Sequence, residues 1–406
     1  MAAPSEVEFK TKPSARPAVL HFPAARPRVE AIDWLRGLVM VIMVLDHTRD
    51  FLGTSSVNPR DVHEPLLFLT RWITHFCAPV FVFLAGVSAF LYGNRGRSKS
   101  EISRFLLTRG LWLIFIELTV MRCAWTFNVQ PEVIFLQVLW AIGVAMVVLA
   151  GLVHFPRPVI AGLALTMIAG HHLLDGIRAE SFGSANWLWL LLHEPGFVPL
   201  NQDVTVFVLY PLIPWIGVLA AGYACGPIML LATGPRRRRL LGLGLALIVL
   251  FIVLRAANVY GDPAIWTPQR NGLATILAFI NCEKYPPSLL FLAMTLGPAL
   301  TALALFDEAK SRLAKMMVTI GRVPFLYYVV HVFLIHTLAV VLAHFSLGES
   351  AWLFTGLPPL AKPENYGLSL PVIYAAWLGI VGMLYPLCHW FAQVKQRRRD
   401  WWLSYL

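Results

Sequence analysis

The sequence predicts an all-α polytopic integral membrane protein with about ten transmembrane helices. Of its 406 residues, 58% are hydrophobic and only 14% are charged, whereas soluble domains carry about 25% charged residues. Apolar runs of about 20 residues, the length that a helix needs to cross a bilayer, recur along the chain. The expected spans are 34–53, 68–92, 109–127, 133–153, 157–174, 203–232, 240–258, 286–306, 323–345 and 370–391.

The basic residues predict the orientation of these spans. Most of the 33 Lys and Arg residues fall in segments that share one side of the membrane if both termini are cytoplasmic. This distribution satisfies the positive-inside rule, and it explains the formal charge of +11 without a nucleic-acid partner. We therefore expect the loop 236–239 to be cytoplasmic and the loop 175–202 to lie outside.

The chain divides into three parts by composition. Residues 1–27 are rich in proline and lack the apolar core of a signal peptide, so they predict a disordered cytoplasmic tail. Residues 28–394 form the transmembrane domain, and residues 395–406 form a basic cytoplasmic tail. The five cysteines are scattered without a CxxC pair, so neither a disulfide framework nor a metal site is expected.

Two of the apolar segments depart from a plain membrane span. The sixth contains YPLIPW, in which Pro211 and Pro214 predict a kinked or broken helix. The apolar piece Trp187–Leu192 is too short to cross a bilayer, so we expect it to lie in the interface or to re-enter the membrane.

The first span carries an unusual pair of polar ends. An uncharged run separates two polar groups, which are Glu30, Asp33 and Arg36 at one end and Asp46, His47, Arg49 and Asp50 at the other. Arg36 and His47 are eleven residues apart, so on an α-helix they share a face at a distance of about 16 Å. A simple membrane anchor does not need this arrangement, and we expect the helix to line a reaction path.

Arg36 and Asp33 are interpreted together. Ionisable groups inside a membrane are costly, so each is a functional candidate. Arg36 is suited to bind a phosphate or carboxylate group, and the alternative is an anchor that reaches to the interface. Asp33, three residues earlier, can pair with it in either case.

His47 is a candidate general base, because histidine titrates near neutral pH. The alternative is an interfacial histidine that is bonded to solvent or to a loop carbonyl. Asp46 or Asp50 could orient its ring, and Asp50 is favoured because Arg49 can pair with Asp46. Other polar residues have roles that the sequence leaves open: His63, Glu64, His75, Glu117, Asn258, Tyr260, His331 and His336.

Six pieces of the chain carry a resemblance to known enzymes: RVEAIDWLRGLVMVIMVLDHTRDF, HFCAPVFVFLAGVSAFLYG, YPLIPWIGVLAAGYACG, KYPPSLLFLAMTLGP, GRVPFLYYVVHVFLIH and WWLSYL. The arginine and histidine of the first piece resemble the first helix of the acyltransferase-3 superfamily of transmembrane acyltransferases. The whole chain is more similar to the bacterial relatives of heparan-alpha-glucosaminide N-acetyltransferase.

The resemblance implies transfer of an acyl group, often acetyl, from cytoplasmic acetyl-CoA or another acyl-CoA to a glycan or lipid-linked acceptor in the cell envelope. It implies a bacterial inner-membrane protein whose surroundings are the lipid bilayer, and it leaves open whether the chain forms a homo-oligomer. Arg36 and Asp33 would lie at the CoA end. His47 matches the histidine of the acyltransferase-3 pattern. In the lysosomal heparan-alpha-glucosaminide N-acetyltransferase the reactive histidine follows in the first lumenal loop, and here that loop offers His63, displaced by a few residues.

A multi-span transporter or exporter is the alternative function. Its polar intramembrane residues would bind cargo, and the broken sixth helix would act as a gate.

Overall fold

A computed structural model describes residues 29–54, 58–129, 132–306, 311–355, 362–398 and 400–404. The tail expected over residues 1–27 lies outside these ranges. Within them the chain forms fifteen α-helices and one small sheet. The helices are α1 (Glu30–Leu52), α2 (Pro65–Thr74), α3 (Cys77–Gly93), α4 (Lys99–Ile116), α5 (Arg122–Thr126), α6 (Val138–Leu152), α7 (Arg157–Gly170), α8 (Asn186–Leu192), α9 (Leu212–Cys225), α10 (Thr233–Ala257), α11 (Gly272–Ile280), α12 (Leu289–Leu305), α13 (Arg312–Gly321), α14 (Pro324–Leu347) and α15 (Leu370–Arg397).

The helical architecture is confirmed, but the count of ten spans is not. Among the described residues, six segments are by length and composition candidates to cross a bilayer: Pro65–Gly93, Arg157–Leu174, Leu212–Leu230, Thr233–Ala257, Pro324–Leu347 and Leu370–Arg397. Two further apolar helices, α6 and α12, are shorter. Helix α1 has 23 residues but carries charged residues at both ends.

Helix α1 lies in the centre of the molecule. Most of its residues are buried, and it packs against α2, α3 and α12–α15. A Cβ atom on Gly37 would lie 1.8 Å from the carbonyl oxygen of Met317, and one on Gly321 would lie 1.8 Å from that of Asp33. Glycine therefore lets the backbones of α1 and α13 touch, as small residues do between membrane helices.

Three short strands form a sheet that the sequence analysis did not predict. Strand β1 (Val133–Leu136) pairs in parallel with β3 (Thr205–Val208), and β2 (Gly196–Pro199) pairs antiparallel with β3. The expected spans 133–153 and 203–232 therefore each begin with a strand, and their helices α6 and α9 begin later.

The predicted break in the sixth span is wrong. Pro211 is the N-cap of α9, and Pro214 lies in its first turn. Proline is tolerated there because the first amides of a helix have no intrahelical partner. The two prolines start this helix. The apolar piece Trp187–Leu192 forms most of α8, and Trp187 and Leu188 are about half exposed.

Candidate active site

A hydrogen bond between two histidines joins α1 to α14. His47 Nδ1 lies 2.7 Å from His331 Nε2, and the two rings are nearly parallel, with an interplanar angle of 9°. His331 Nδ1 lies 2.9 Å from the carbonyl oxygen of Tyr327, one turn earlier in α14. The helical backbone therefore fixes the ring of His331, and that ring in turn fixes His47.

The geometry assigns the protons of this pair. A carbonyl oxygen can only accept, so His331 Nδ1 carries the proton that Tyr327 receives. The Nε2 atom of a neutral His331 is then an acceptor, and it receives the proton on His47 Nδ1. This leaves a lone pair on His47 Nε2. The arrangement is that of a general base with its tautomer fixed by a partner.

Aromatic rings surround the pair on one side. His331 is fully buried, whereas His47 is partly exposed. The Trp125 ring lies edge-on to His47 at 5.0 Å, and it stacks on Phe51 at 5.2 Å. Of the two histidines, His47 is thus the one whose ring a substrate can approach.

The predicted orientation of His47 by Asp50 or Asp46 is wrong. Arg49 Nη2 lies 2.6 Å from Asp46 Oδ1 and 2.7 Å from Asp50 Oδ1. Thr74 also donates a hydrogen bond of 2.9 Å to Asp46. Among the described contacts, both carboxylates are held by Arg49, and the partner of the His47 ring is a histidine on another helix. Asp46 and Asp50 remain beside His47 as negative charges.

A buried lysine lies near the same carboxylate. Lys284, in the loop between α11 and α12, is 7% exposed, and its ammonium group lies 5.0 Å from the centre of the Tyr285 ring. Burial disfavours the cation, but the neighbouring Tyr285 and Asp46 outweigh burial and raise the pKa of Lys284 above its ordinary value. Lys284 therefore carries a positive charge close enough to interact electrostatically with Asp46 and His47.

An arginine at the end of α10 shapes the loop that presents Lys284. Arg255 is 2% exposed and donates to the backbone carbonyls of Ala264, Ala278, Phe279 and Asn281. It also lies 3.6 Å from Asp262, which accepts from the Ser288 hydroxyl and the Glu283 amide. Such buried and satisfied polar networks rigidify a structure.

Asn258 and Tyr260, whose roles the sequence leaves open, both donate hydrogen bonds to backbone carbonyl groups. The Asn258 side chain donates to the Trp266 carbonyl at 2.9 Å, and the Tyr260 hydroxyl donates to the Ala169 carbonyl. Their described hydrogen bonds hold the loop that follows α10.

His63 lies apart from the histidine pair in the described structure. It is exposed in a turn before α2, and its backbone amide donates to Asp61 at 2.9 Å. Residues 55–57 of the same loop lie outside the described ranges.

Arg36 and Asp33 form the ion pair that the sequence predicted. Arg36 Nη1 lies 3.4 Å from Asp33 Oδ1, with side-chain exposures of 16% and 2%. Its Nη2 atom donates to the Ser88 hydroxyl at 3.0 Å. These contacts fix the guanidinium at the opposite end of α1 from His47. Part of the Arg36 side chain stays exposed.

Of three other polar residues, two make structural contacts and one has no hydrogen-bond partner among the described residues. Glu117 lies in a π-helical segment, Glu117–Met121, and accepts from two amides in the first turn of α6 at 3.0 and 3.3 Å. It is therefore a helix cap. His336 contacts the carbonyl oxygens of Ala124 and Leu353. His75 is buried, and neither ring nitrogen has a partner among the described residues.

Two members of this site, His331 and Lys284, were not identified as functional residues from the sequence. His331 is one of the residues whose role the sequence leaves open, and its partner cannot be read from spacing. Lys284 is not among the candidates from sequence. Its one signal was a lysine before two prolines and a serine in KYPPS.

A comparison with protein families identifies the family of the chain. The model of the heparan-alpha-glucosaminide N-acetyltransferase catalytic domain matches residues 28–262, more than half of the chain. No curated protein matches the chain. The match includes Arg36 and His47, whereas His331 and Lys284 lie beyond it. The chain belongs to the heparan-alpha-glucosaminide N-acetyltransferase catalytic-domain family.

Proposed function

We propose that this protein is a transmembrane acyltransferase of a bacterial inner membrane. It moves an acyl group, in the simplest case acetyl, from cytoplasmic acyl-CoA to an extracytoplasmic glycan or lipid-linked acceptor. Family membership supports acetyl transfer. The observation that carries the proposal is the His47–His331 hydrogen bond, because it leaves a basic nitrogen on a partly exposed ring.

The donor lies along α1 in this proposal. Arg36 binds a phosphate group of CoA, since a guanidinium fork matches phosphate geometry, and Asp33 holds the guanidinium in place. The thioester reaches the other end of the helix, about 16 Å away, where His47 stands. The partial exposure of both side chains supports this placement.

His47 acts as the base in the reaction. Its Nε2 atom takes a proton from the hydroxyl or amine of the acceptor while that group attacks the thioester carbonyl carbon. The carbon–sulfur bond then breaks, and the imidazolium returns the proton to the departing thiolate. Such proton transfer contributes about 10²–10⁴-fold to the rate.

Two charged groups assist this step. Lys284 offers positive charge to the oxyanion that develops on the thioester carbonyl, in an environment where electrostatic interactions are strong. Asp46 and Asp50 lie close enough to stabilise the imidazolium of His47 while it holds the proton. His331 touches no reacting atom and is a positioning residue.

His63 keeps a role at the acceptor side. It stands in the first outer loop, where the resemblance to the lysosomal enzyme places a reactive histidine. We assign His47 as the base because it is held between rigid helices, which position catalytic groups better than exposed turns do.

The transporter alternative rested on polar intramembrane residues for cargo and on a broken sixth helix as a gate. The second feature is not supported, because α9 begins directly after Pro211.

Acetyl transfer in detergent tests the proposal. The purified chain is incubated with radiolabelled acetyl-CoA and an extract of cell-envelope glycans and lipids, and the label is followed by chromatography. We expect transfer, or slow hydrolysis, without a sealed membrane. His47→Ala should abolish it, whereas His389→Ala, on an exposed histidine of α15, should not. Activity that needs sealed vesicles would instead indicate a transporter.

A further inference from the structure

A second histidine cluster lies at the end of α7. Its members are His171, His172 and His193, gathered around Asp175. His171 and His193 are each 1% exposed, and the side chain of His172 is 5% exposed. The ring of His171 lies 4.0 Å from that of His172 and 5.8 Å from that of His193. The proposed acyl transfer does not use these residues.

The hydrogen bonds of the cluster orient its rings. His171 Nε2 lies 3.1 Å from the Pro287 carbonyl oxygen, so it carries a proton and a neutral ring keeps the lone pair on Nδ1. His193 Nε2 lies 3.0 Å from one oxygen of Asp175. His172 Nδ1 lies 2.8 Å from the other oxygen. The carboxylate is thus held from both sides.

Several nitrogens in this cluster lack partners. His171 Nδ1, His172 Nε2 and His193 Nδ1 are buried without a hydrogen-bond partner among the described residues. A buried polar atom without a partner is costly, and native structures rarely keep three together. Metal-binding histidines typically donate their second ring nitrogen to a carbonyl or carboxylate, as His171 and His172 do here.

We propose that this cluster binds a divalent transition-metal ion such as Zn²⁺, with His171, His172 and Asp175 as ligands. One ligand atom from each of the three lies within 4.8 Å of the others. His172 donates the proton on Nδ1 to Asp175, which leaves the lone pair of its unpartnered Nε2 atom for the ion, so binding requires no release of a ring proton. His193 holds the second oxygen of Asp175 and so orients the carboxylate.

The donor set favours zinc over the common hard cations. Imidazole nitrogens are ligands of zinc and its neighbours, whereas Mg²⁺ and Ca²⁺ prefer oxygen ligands throughout.

The surrounding loop is already fixed for such a site. Glu194 accepts from the Ala179 amide at 2.8 Å and pairs with Arg178 at 2.9 Å. These two contacts join the beginning of the segment between Asp175 and His193 to its end. The contact between His171 and Pro287 joins the cluster to the loop that presents Lys284. A bound ion would therefore hold that loop in place.

Metal binding by the full-length protein in detergent tests this inference. The protein is stripped with a chelator and titrated with Zn²⁺, and bound metal is measured by mass spectrometry after gel filtration. We expect one equivalent in the unmodified chain, and a Co²⁺ absorption spectrum typical of nitrogen and oxygen ligands. His171→Ala and Asp175→Asn should lose this binding, and His193→Gln should weaken it about 10–100-fold.

Matched controls separate a built site from adventitious binding. His389→Gln alters an exposed histidine of α15 and should keep the full equivalent. Each variant is compared by gel filtration and by melting temperature, which Zn²⁺ should raise in the unmodified chain and not in Asp175→Asn. Absence of stoichiometric zinc in the unmodified chain, or equal binding by all variants, would overturn the inference. Neither result bears on acyl transfer, which the acetyl-CoA assay measures separately.

Discussion

The nitrogen atoms of His47 and His331 are 2.7 Å apart, although 284 residues separate them in the chain. The carbonyl of Tyr327 fixes the proton on the far side of His331, so the direction of the whole hydrogen-bonded chain follows from one backbone oxygen. The basic nitrogen of His47 then points away from His331.

Replacing His331 tests whether it positions the base. His331→Leu removes the acceptor for His47 Nδ1, so the ring is free to change tautomer and orientation. We expect kcat to fall about 10–100-fold with little change in the KM for acyl-CoA, because misplacement of a catalytic group slows the reaction at this scale. Steady-state kinetics with varied donor concentration measure both constants.

His331→Gln is the matched control for this change. Its amide oxygen can accept the same hydrogen bond, so much of the lost kcat should return. Equal losses in the Leu and Gln variants would show that His331 contributes by packing alone, and no loss in either would remove the histidine pair from the mechanism.

Local sequence patterns predicted the features that depend only on residues close together in the chain. The apolar runs predicted a helical membrane protein, and the spacing in α1 predicted that Asp33 and Arg36 pair. The same reasoning failed for the partner of His47, because Arg49 competes for the carboxylate of Asp50. Asp50 stands three residues after His47, but the adjacent Arg49 binds both Asp46 and Asp50.

Long-range contacts could not be predicted in this way. Lys284 reaches the site because Arg255 and Asp262 shape its loop, and neither contact has a periodic signal. Pro211 and Pro214 carry the same sequence signal whether they break a helix or begin one. Strand β3 ends just before them, and its partner β1 lies far away in the chain.

The orientation in the membrane is a prediction from the basic residues. Single cysteines are placed in the loop 236–239 and in the loop 175–202 of a chain whose native cysteines are replaced. An impermeant thiol reagent on intact spheroplasts should label the second position and spare the first. Labelling of 236–239 in intact spheroplasts would reverse the topology.

Arg36→Lys should weaken donor binding. Lysine keeps the charge but lacks the planar fork, so it cannot replace two parallel hydrogen bonds to a phosphate group. We expect the Kd for acetyl-CoA, measured by calorimetry, to rise about tenfold, with little change in the KM for the acceptor. Arg322→Lys is the control, since Arg322 pairs with Glu30 at the same end of α1. An unchanged Kd in a folded Arg36→Lys protein would show that Arg36 only anchors the helix at the membrane interface.

Lys362 should make stability depend on pH in the alkaline range. It donates to the Gly53 carbonyl at 2.8 Å, and burial lowers its pKa to about 8 from 10.5. Between these two pKa values the unfolded chain binds more protons than the folded chain. The contribution of Lys362 to the free energy of unfolding therefore rises with pH across this window and is constant on either side of it.

Thermal unfolding from pH 7 to 11 measures this effect. The melting temperature of the unmodified chain should rise with pH relative to that of Lys362→Met, starting near pH 8. Lys395→Met, in the last turn of α15, serves as the control for general charge effects. Parallel curves for the unmodified chain and Lys362→Met would mean that Lys362 keeps an ordinary pKa.

The final prediction separates His47 from His63 as the base. His47→Ala should lower kcat by about two to four orders of magnitude with an unchanged Kd for acetyl-CoA, because it removes a group that acts only during proton transfer. His63 is exposed and stands in the outer loop, so His63→Ala should mainly raise the KM for the acceptor. Loss of transfer in His63→Ala, with most activity kept in His47→Ala and His47→Asn, would assign the base to His63. In that case the hydrogen bond between His47 and His331 would join α1 to α14 without a part in the chemistry.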